Sequence, residues 1–146
     1  MDIKDYWSGM KYDDFFLKGY EIFYEDDLDA TNIIDVVAEK YISPMWPEYK
    51  LMEFDISEKI DLDDNICVWH NDSSFGFNLT FLYYLDDMSP EIGGAISIRN
   101  GMFEDTIYPK KGMLLMLSQK PNVQHKVEYT EAQRRVYGLD FKVEGL

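Results

Sequence analysis

Trp69-His70-Asn71-Asp72 is the stretch of this chain with the most chemistry in it, and His70 and His125 are its two histidines. In an extended strand, residues two apart point to the same face. His70 and Asp72 would then stand side by side, about 6–7 Å apart along the backbone, close enough for converging side chains to share one ion. His125 follows 53 residues after Asp72, and Arg135 lies ten residues beyond His125. Two imidazoles and a carboxylate that leave positions open are the donor set of a facial non-haem Fe(II) centre. A basic residue nearby offers a partner to a carboxylate-bearing co-substrate. A solitary His-x-Asp is most often a surface hydrogen-bonding pair. What gives it weight here is the order: His-x-Asp, strand, Gly-Gly, strand, His, Arg, strand.

The elements that must position these groups are mostly strands. Residues 20–25 alternate with β-favouring types and predict a strand. Asp26-Asp27-Leu28-Asp29 breaks it and offers helix N-caps. Ile33, Ile34, Val37, Ala38 and Tyr41 share one face at helical spacing, which predicts a supporting helix over 30–41. It ends at Ser43-Pro44, because the residue before proline avoids the helical region. A loop anchored by its aromatics spans 44–49, and a strand follows over 51–56. The acidic turn at 58–65 lacks the glycine and the terminal glutamate of an EF-hand, which excludes that calcium site. An apolar strand over 66–70 delivers the His-x-Asp pair.

The longest strand is expected over 77–85. Phe77, Leu79, Phe81, Tyr83 and Leu85 form its greasier face, suited to packing on helices or a second sheet. Asn78, Thr80, Leu82 and Tyr84 form the other, suited to lining a small cavity. Gly93-Gly94 permits a tight backbone approach, and Asn100-Gly101 marks a turn after a short strand at 95–99. Strands are expected at 113–117, 123–127 and 134–143. One helix followed by a series of short strands predicts a mainly β fold with helical support, a sandwich or jelly roll. A parallel sheet would need helices between the later strands, and no helical pattern follows residue 60.

Length and composition agree. At 146 residues the chain makes one domain, 1–146, and 46% hydrophobic and 16% aromatic residues suffice for a core. No apolar run reaches membrane-spanning length, and the N-terminus has no signal-peptide pattern. The single cysteine, Cys67, can form no internal disulfide and reads as a small core residue. Together these give the expectation of an intracellular, cytoplasmic protein without membrane association. Fourteen basic against 28 acidic residues leave a net charge of −14, which repels phosphate backbones and disfavours nucleic acid as a partner. Residues 1–18, rich in aromatics and Asp, take no assignment from their pattern. Oligomeric state is likewise not legible.

The second half resembles the Fe(II)- and 2-oxoglutarate-dependent dioxygenases, in particular their prolyl 4-hydroxylase-like branch. The resemblance covers roughly 51–143, with a weaker likeness at 20–41. It is carried by Trp69-His70-Asn71-Asp72, Phe81-Leu82-Tyr83-Tyr84-Leu85, Gly93-Gly94-Ala95-Ile96-Ser97-Ile98, Pro109-Lys110-Lys111-Gly112-Met113-Leu114-Leu115, and His125-Lys126-Val127 with Arg135. No single piece is specific; the ordered series is. It implies a double-stranded β-helix, a cupin-like jelly roll, over about 51–143, supported by the strand and helix of about 1–50.

It also implies that His70, Asp72 and His125 bind Fe(II) as the catalytic centre. Arg135 would pair with the distal carboxylate of 2-oxoglutarate, and Tyr84 would add a hydroxyl to it. The implied reaction uses dioxygen, with ascorbate a candidate further cofactor. It hydroxylates a protein or peptide side chain, proline first, while 2-oxoglutarate becomes succinate and CO2. Alternatives are the same chemistry on a nucleic-acid or small-molecule substrate, a non-catalytic jelly-roll binding module, or a zinc hydrolase. Arg134 competes with Arg135. Strand alternation favours Arg135, since an inward Arg134 would bring Asp140 into an anion site. Two departures stand out. The region 54–60 lacks the tyrosine often found before the motif, and only about 70 residues precede it, which suits a simple peptide substrate or a site completed by a partner.

Overall fold

The computed structural model describes residues 12–57, 68–130 and 132–146. Two short helices, α1 (Asp13–Lys18) and α2 (Ile33–Val37), flank the first strand, β1 (Tyr20–Tyr24). Seven more strands follow: β2 (Tyr49–Ser57), β3 (Leu79–Tyr84), β4 (Ile96–Asn100), β5 (Phe103–Ile107), β6 (Met113–Ser118), β7 (Val123–Val127) and β8 (Val136–Val143). They form a five-stranded sheet in the order β1-β6-β3-β8-β2 and a three-stranded sheet in the order β5-β4-β7. All their pairings are antiparallel. This is the expected mainly β jelly roll with helical support.

The five-stranded sheet separates two apolar layers. On one side, Leu79, Phe81, Tyr83, Leu139 and Phe141 pack against Tyr12, Phe15, Ile33, Val37, Tyr41 and Trp46. On the other, Leu115, Leu117, Tyr84 and Val136 meet Ile96, Ile98 and Val123 of the small sheet. The two faces read for 77–85 are therefore the two faces found: helix side for the greasy set, inter-sheet side for Thr80, Leu82 and Tyr84.

The expected helix is shorter than its apolar pattern. The Asp29 carboxylate accepts the backbone N–H groups of Thr31 and Asn32, at 2.8 and 3.1 Å, in the turn that enters α2. The helix then widens into a π-helical turn, Ala38–Ile42, closed by Ser43 N–H donating to the Ala38 carbonyl at 2.8 Å. The wide turn lets neighbouring Tyr41 and Ile42 both enter the core, 2% and 0% exposed, which a regular helical stripe would not. Trp46 is buried against Tyr12 and Phe15, so the aromatic of this loop anchors it.

The sequence marks the Asn100-Gly101 turn but not the strand after it. β5 pairs with β4 across that turn, with Asn100 opposite Phe103 and Gly101 at φ 62°. Its alternation is weak because it is an edge strand with mostly exposed side chains. The acidic turn at 58–65, the first residues of the 66–70 strand and the core place expected for Cys67 lie outside the described residues. No described helix is long and apolar enough to cross a membrane.

Candidate metal centre and co-substrate cavity

The strand β7 carries His125 and receives His70 by a single antiparallel bridge. His70 N–H donates to the His125 carbonyl at 3.0 Å and His125 N–H to the His70 carbonyl at 2.9 Å. Only this bridge, rather than a full strand, delivers the His-x-Asp pair among the described residues. The segment is held further by Asn71, whose amide donates to the Lys120 and Val123 carbonyls, each at 2.7 Å. Trp69 is covered on its ring by Arg99 at 4.3 Å and Lys126 at 4.8 Å, a cation–π arrangement that packs the residue just before His70.

The side chains converge. Potential ligand atoms of His70, Asp72 and His125 all lie within 4.8 Å of one another. His125 Nε2 stands 3.6 Å from Asp72 Oδ2, and the two imidazole rings are 4.2 Å apart. His70 Nδ1 lies 2.8 Å from the Val68 carbonyl. A carbonyl only accepts, so Nδ1 is the donor in this contact, and Nε2 is the nitrogen left to face a ligand. Burial, reinforced by His70 nearby, pushes the His125 imidazole down to about 3, so it is neutral and a competent metal donor at neutral pH. Among the described residues its buried Nδ1 has no hydrogen-bond partner, while its Nε2 faces the Asp72 carboxylate.

Beside these residues lies a cavity of about 250 Å³, lined by Ser57, His70, Asp72, Leu82, Tyr84, Ile96, His125, Val127, Arg134 and Val136. Tyr84 and Arg134 are 4% and 8% exposed. Burial raises the Tyr84 phenol above its usual range, and the Arg134 cation acts in the opposite sense. Tyr84 therefore remains a hydroxyl donor at any physiological pH.

Arg135 is elsewhere. Its guanidinium pairs with Asp86, with Nε 3.1 Å from Oδ2 and a second contact of 2.9 Å to Oδ1, and its backbone N–H donates to the same carboxylate at 2.8 Å. That pairing holds the Asp86 carboxyl below its usual range. The alternation that turned Arg135 inward is thus corrected. In the β3–β8 register Tyr84 faces Val136, Leu82 faces Gly138 and Thr80 faces Asp140, and directly opposed residues share a face. Arg134 follows that parity into the cavity, whereas Tyr137, Leu139 and Phe141 belong to the helix side. The sequence carries no signal for this choice, because which residues of the closing strand stand opposite Thr80, Leu82 and Tyr84 is fixed by the pairing register.

Asp140 does enter the site. It lines an adjoining cavity of about 220 Å³ with Asp55, Ser57, Asp72, Thr80, Gln119 and His125 among others. Its carboxyl is pushed up to about 6, chiefly by burial, with the hydrogen bond from Thr80 acting the other way.

Solved structures with the same arrangement of chain are 2-oxoglutarate–Fe(II) oxygenases. One is a prolyl hydroxylase from Trichoplax adhaerens in complex with a peptide fragment of the hypoxia-inducible factor oxygen degradation domain. It is 16% identical at a TM-score of 0.61, over 97% of this chain and 91% of that one. A prolyl-4-hydroxylase from Pseudomonas putida is 11% identical at a TM-score of 0.62, over 95% and 93%. This chain has the fold of the 2-oxoglutarate–Fe(II) oxygenases. The double-stranded β-helix of that fold accounts for the two antiparallel sheets and the layer between them. The non-heme alpha-ketoglutarate-dependent epimerase SnoN from nogalamycin biosynthesis shares it too, 12% identical at a TM-score of 0.62 over 93% and 82%. No protein-family model and no curated protein sequence matches the chain.

Proposed function

We propose that this protein is a 2-oxoglutarate-dependent non-haem iron oxygenase that hydroxylates a side chain of a protein or peptide, proline being the first candidate. The observation that carries the reading is that His70, Asp72 and His125 share one cavity with Arg134 and Tyr84. Two imidazoles and a carboxylate suit Fe(II) and leave a face open. Iron with 2-oxoglutarate and dioxygen supplies the oxidising chemistry, converting a substrate C–H to C–OH while 2-oxoglutarate becomes succinate and CO2.

The protein's part is placement. Arg134, 8% exposed, would present a planar, permanently charged fork to the distal carboxylate of the co-substrate, a geometry that suits a bidentate pair. Tyr84 would donate a hydrogen bond from its hydroxyl to the same group. Leu82, Ile96, Val127 and Val136 supply apolar wall and keep water away. A peptide substrate is supported by likeness to the Trichoplax enzyme, whose structure holds a peptide fragment. The net charge of −14 favours neutral or cationic peptides over nucleic acid.

The test is anaerobic. Fe(II) and then 2-oxoglutarate are added to metal-free protein, and the visible charge-transfer absorbance of chelated 2-oxoglutarate is followed. The expected result is a band that His125→Ala abolishes, and peptide-dependent succinate formation once air is admitted. Iron binding without a band would remove the 2-oxoglutarate assignment. Succinate coupled only to a nucleobase or a free small molecule would remove the peptide substrate.

A further inference from the structure

The three candidate ligands are not held alike. His125 sits in a strand ladder and His70 in a backbone bridge to it. Asp72 lies beyond the bridge, in the turn before the short 3-10 helix Ser73–Phe75, with a side chain 31% exposed. Something other than a ladder must aim its carboxylate. Gln119, 2% exposed, meets Asp72 twice, once at its backbone and once at its carboxylate. The Gln119 amide oxygen accepts the Asp72 backbone N–H at 3.2 Å, and the amide nitrogen lies 3.5 Å from Asp72 Oδ2.

The direction of every bond in this group is determined. A backbone N–H can only donate, so the amide atom facing it is oxygen and the other is the NH2 group. That NH2 donates to Thr80 Oγ1 at 3.0 Å. With one lone pair of Thr80 so engaged, its own proton goes to Asp140 Oδ1 at 2.7 Å. Thr80 is itself 5% exposed and stands between Leu117 and Asp140 in the sheet register. Gln119 is pinned at its backbone, where its N–H donates to the Asn78 carbonyl at 3.0 Å. Inverting the amide would set its NH2 against the Asp72 N–H, donor against donor. It would also turn the amide oxygen toward the Asp72 carboxylate, acceptor against acceptor.

We infer that Gln119, braced by Thr80 and Asp140, is a positioning residue that orients the Asp72 carboxylate for metal binding. The inference rests on the metal reading proposed above. It assigns a purpose to an inward carboxylate that the co-substrate cannot use: Asp140 is the acceptor that ends a one-way row of hydrogen bonds. Partners of this kind commonly contribute ten- to a hundredfold in metal affinity.

The experiment titrates Co(II) alone into the metal-free full chain, with calorimetry for affinity and the cobalt d–d absorption as a report of ligand geometry. Gln119→Leu is expected to weaken Co(II) binding about 10–100-fold and to alter the d–d spectrum. Thr80→Val, which keeps shape and removes the hydroxyl, is expected to weaken binding in the same direction, and Thr80→Ser to restore it. Thermal melts accompany each variant. Should Gln119→Leu not fold, the Thr80 pair decides alone. Variants that melt earlier but bind Co(II) like the parent would show a merely structural role and overturn the inference. A parent chain that binds no Co(II), or binds it undiminished after His125→Ala, would overturn the metal reading and this inference with it. Parent binding lost in His125→Ala but unchanged in Gln119→Leu and Thr80→Val would overturn the inference alone.

Discussion

Adjacent arginines with opposite surroundings make a direct comparison. Arg134 is 8% exposed and lines the cavity with Tyr84 and the histidines. The side chain of Arg135 is 42% exposed and its partner Asp86 is 21% exposed. Truncating the cation of a buried, hydrogen-bonded charge pair costs roughly 2–5 kcal/mol. Each 1.4 kcal/mol is tenfold in affinity, so Arg134→Ala is expected to raise the 2-oxoglutarate Kd by roughly 30-fold to several thousandfold. Arg135→Ala removes an exposed pair worth about 0–1 kcal/mol of stability and should leave the Kd within about threefold of the parent. The assay is anaerobic titration of the Fe(II)-loaded protein with 2-oxoglutarate, read at the charge-transfer band, with Arg134→Lys as a third variant. Lysine keeps the charge but not the fork, so an intermediate Kd is expected. A large loss in Arg135→Ala with none in Arg134→Ala would refute the register argument and restore the alternation first read from the sequence.

Metal binding should also appear as stability. At a free Co(II) concentration a hundred times its Kd the native state gains about 2.7 kcal/mol, or roughly 5–11 °C in Tm for a domain of this size. The shift should vanish in His125→Ala. Gly93 sits at φ +81°, and a Cβ there would lie 2.4 Å from the Tyr129 carbonyl oxygen. Gly93→Ala should therefore cost roughly 2–4 kcal/mol in urea unfolding, and a loss below 0.5 kcal/mol would contradict this tight approach. The Asp140 carboxyl is raised from 3.8 to about 6, so between those values the folded state binds more protons than the unfolded one. Its contribution makes stability fall as pH rises through that window. Asp140→Asn should lack this slope in pH-dependent denaturation of the metal-free protein, and an unchanged slope would count against the raised value.

Much of this was legible because it depends on period and order. The two faces of 77–85, the supporting apolar stripe at Ile33, Val37 and Tyr41, and the tight approach at Gly93 follow from side-chain spacing and backbone permissiveness. So did the expectation that His70, Asp72 and His125 come together. What was not legible is set by tertiary pairing. The π-helical turn at Ala38–Ile42 answers to the core it fills, not to local propensity. β5 is an exposed edge strand and leaves little alternation to read. The choice between Arg134 and Arg135 needed the register of the closing strand against β3, and the objection raised against Arg134 took Asp140 for an obstacle. Gln119 and Thr80 carry no motif at all. They become visible only when the end of β6, the middle of β3 and the turn after His70 are brought within hydrogen-bond reach.

The five-stranded sheet also bears on how such a protein changes over generations. Strands β3 and β8 give alternate residues to the two layers, so Phe81 and Leu139 support the helices while Thr80, Leu82, Val136 and Asp140 line the cavity. Tyr12, Phe15 and Trp46 pack on the layer opposite the cavity, with the paired strands between. The helical layer can therefore drift, lengthen or be replaced while the opposite face is kept. Change in this architecture sorts by layer: the support can vary without touching the cavity side chains of β3 and β8, while His70, Asp72 and His125 reach the same cavity from outside those two strands.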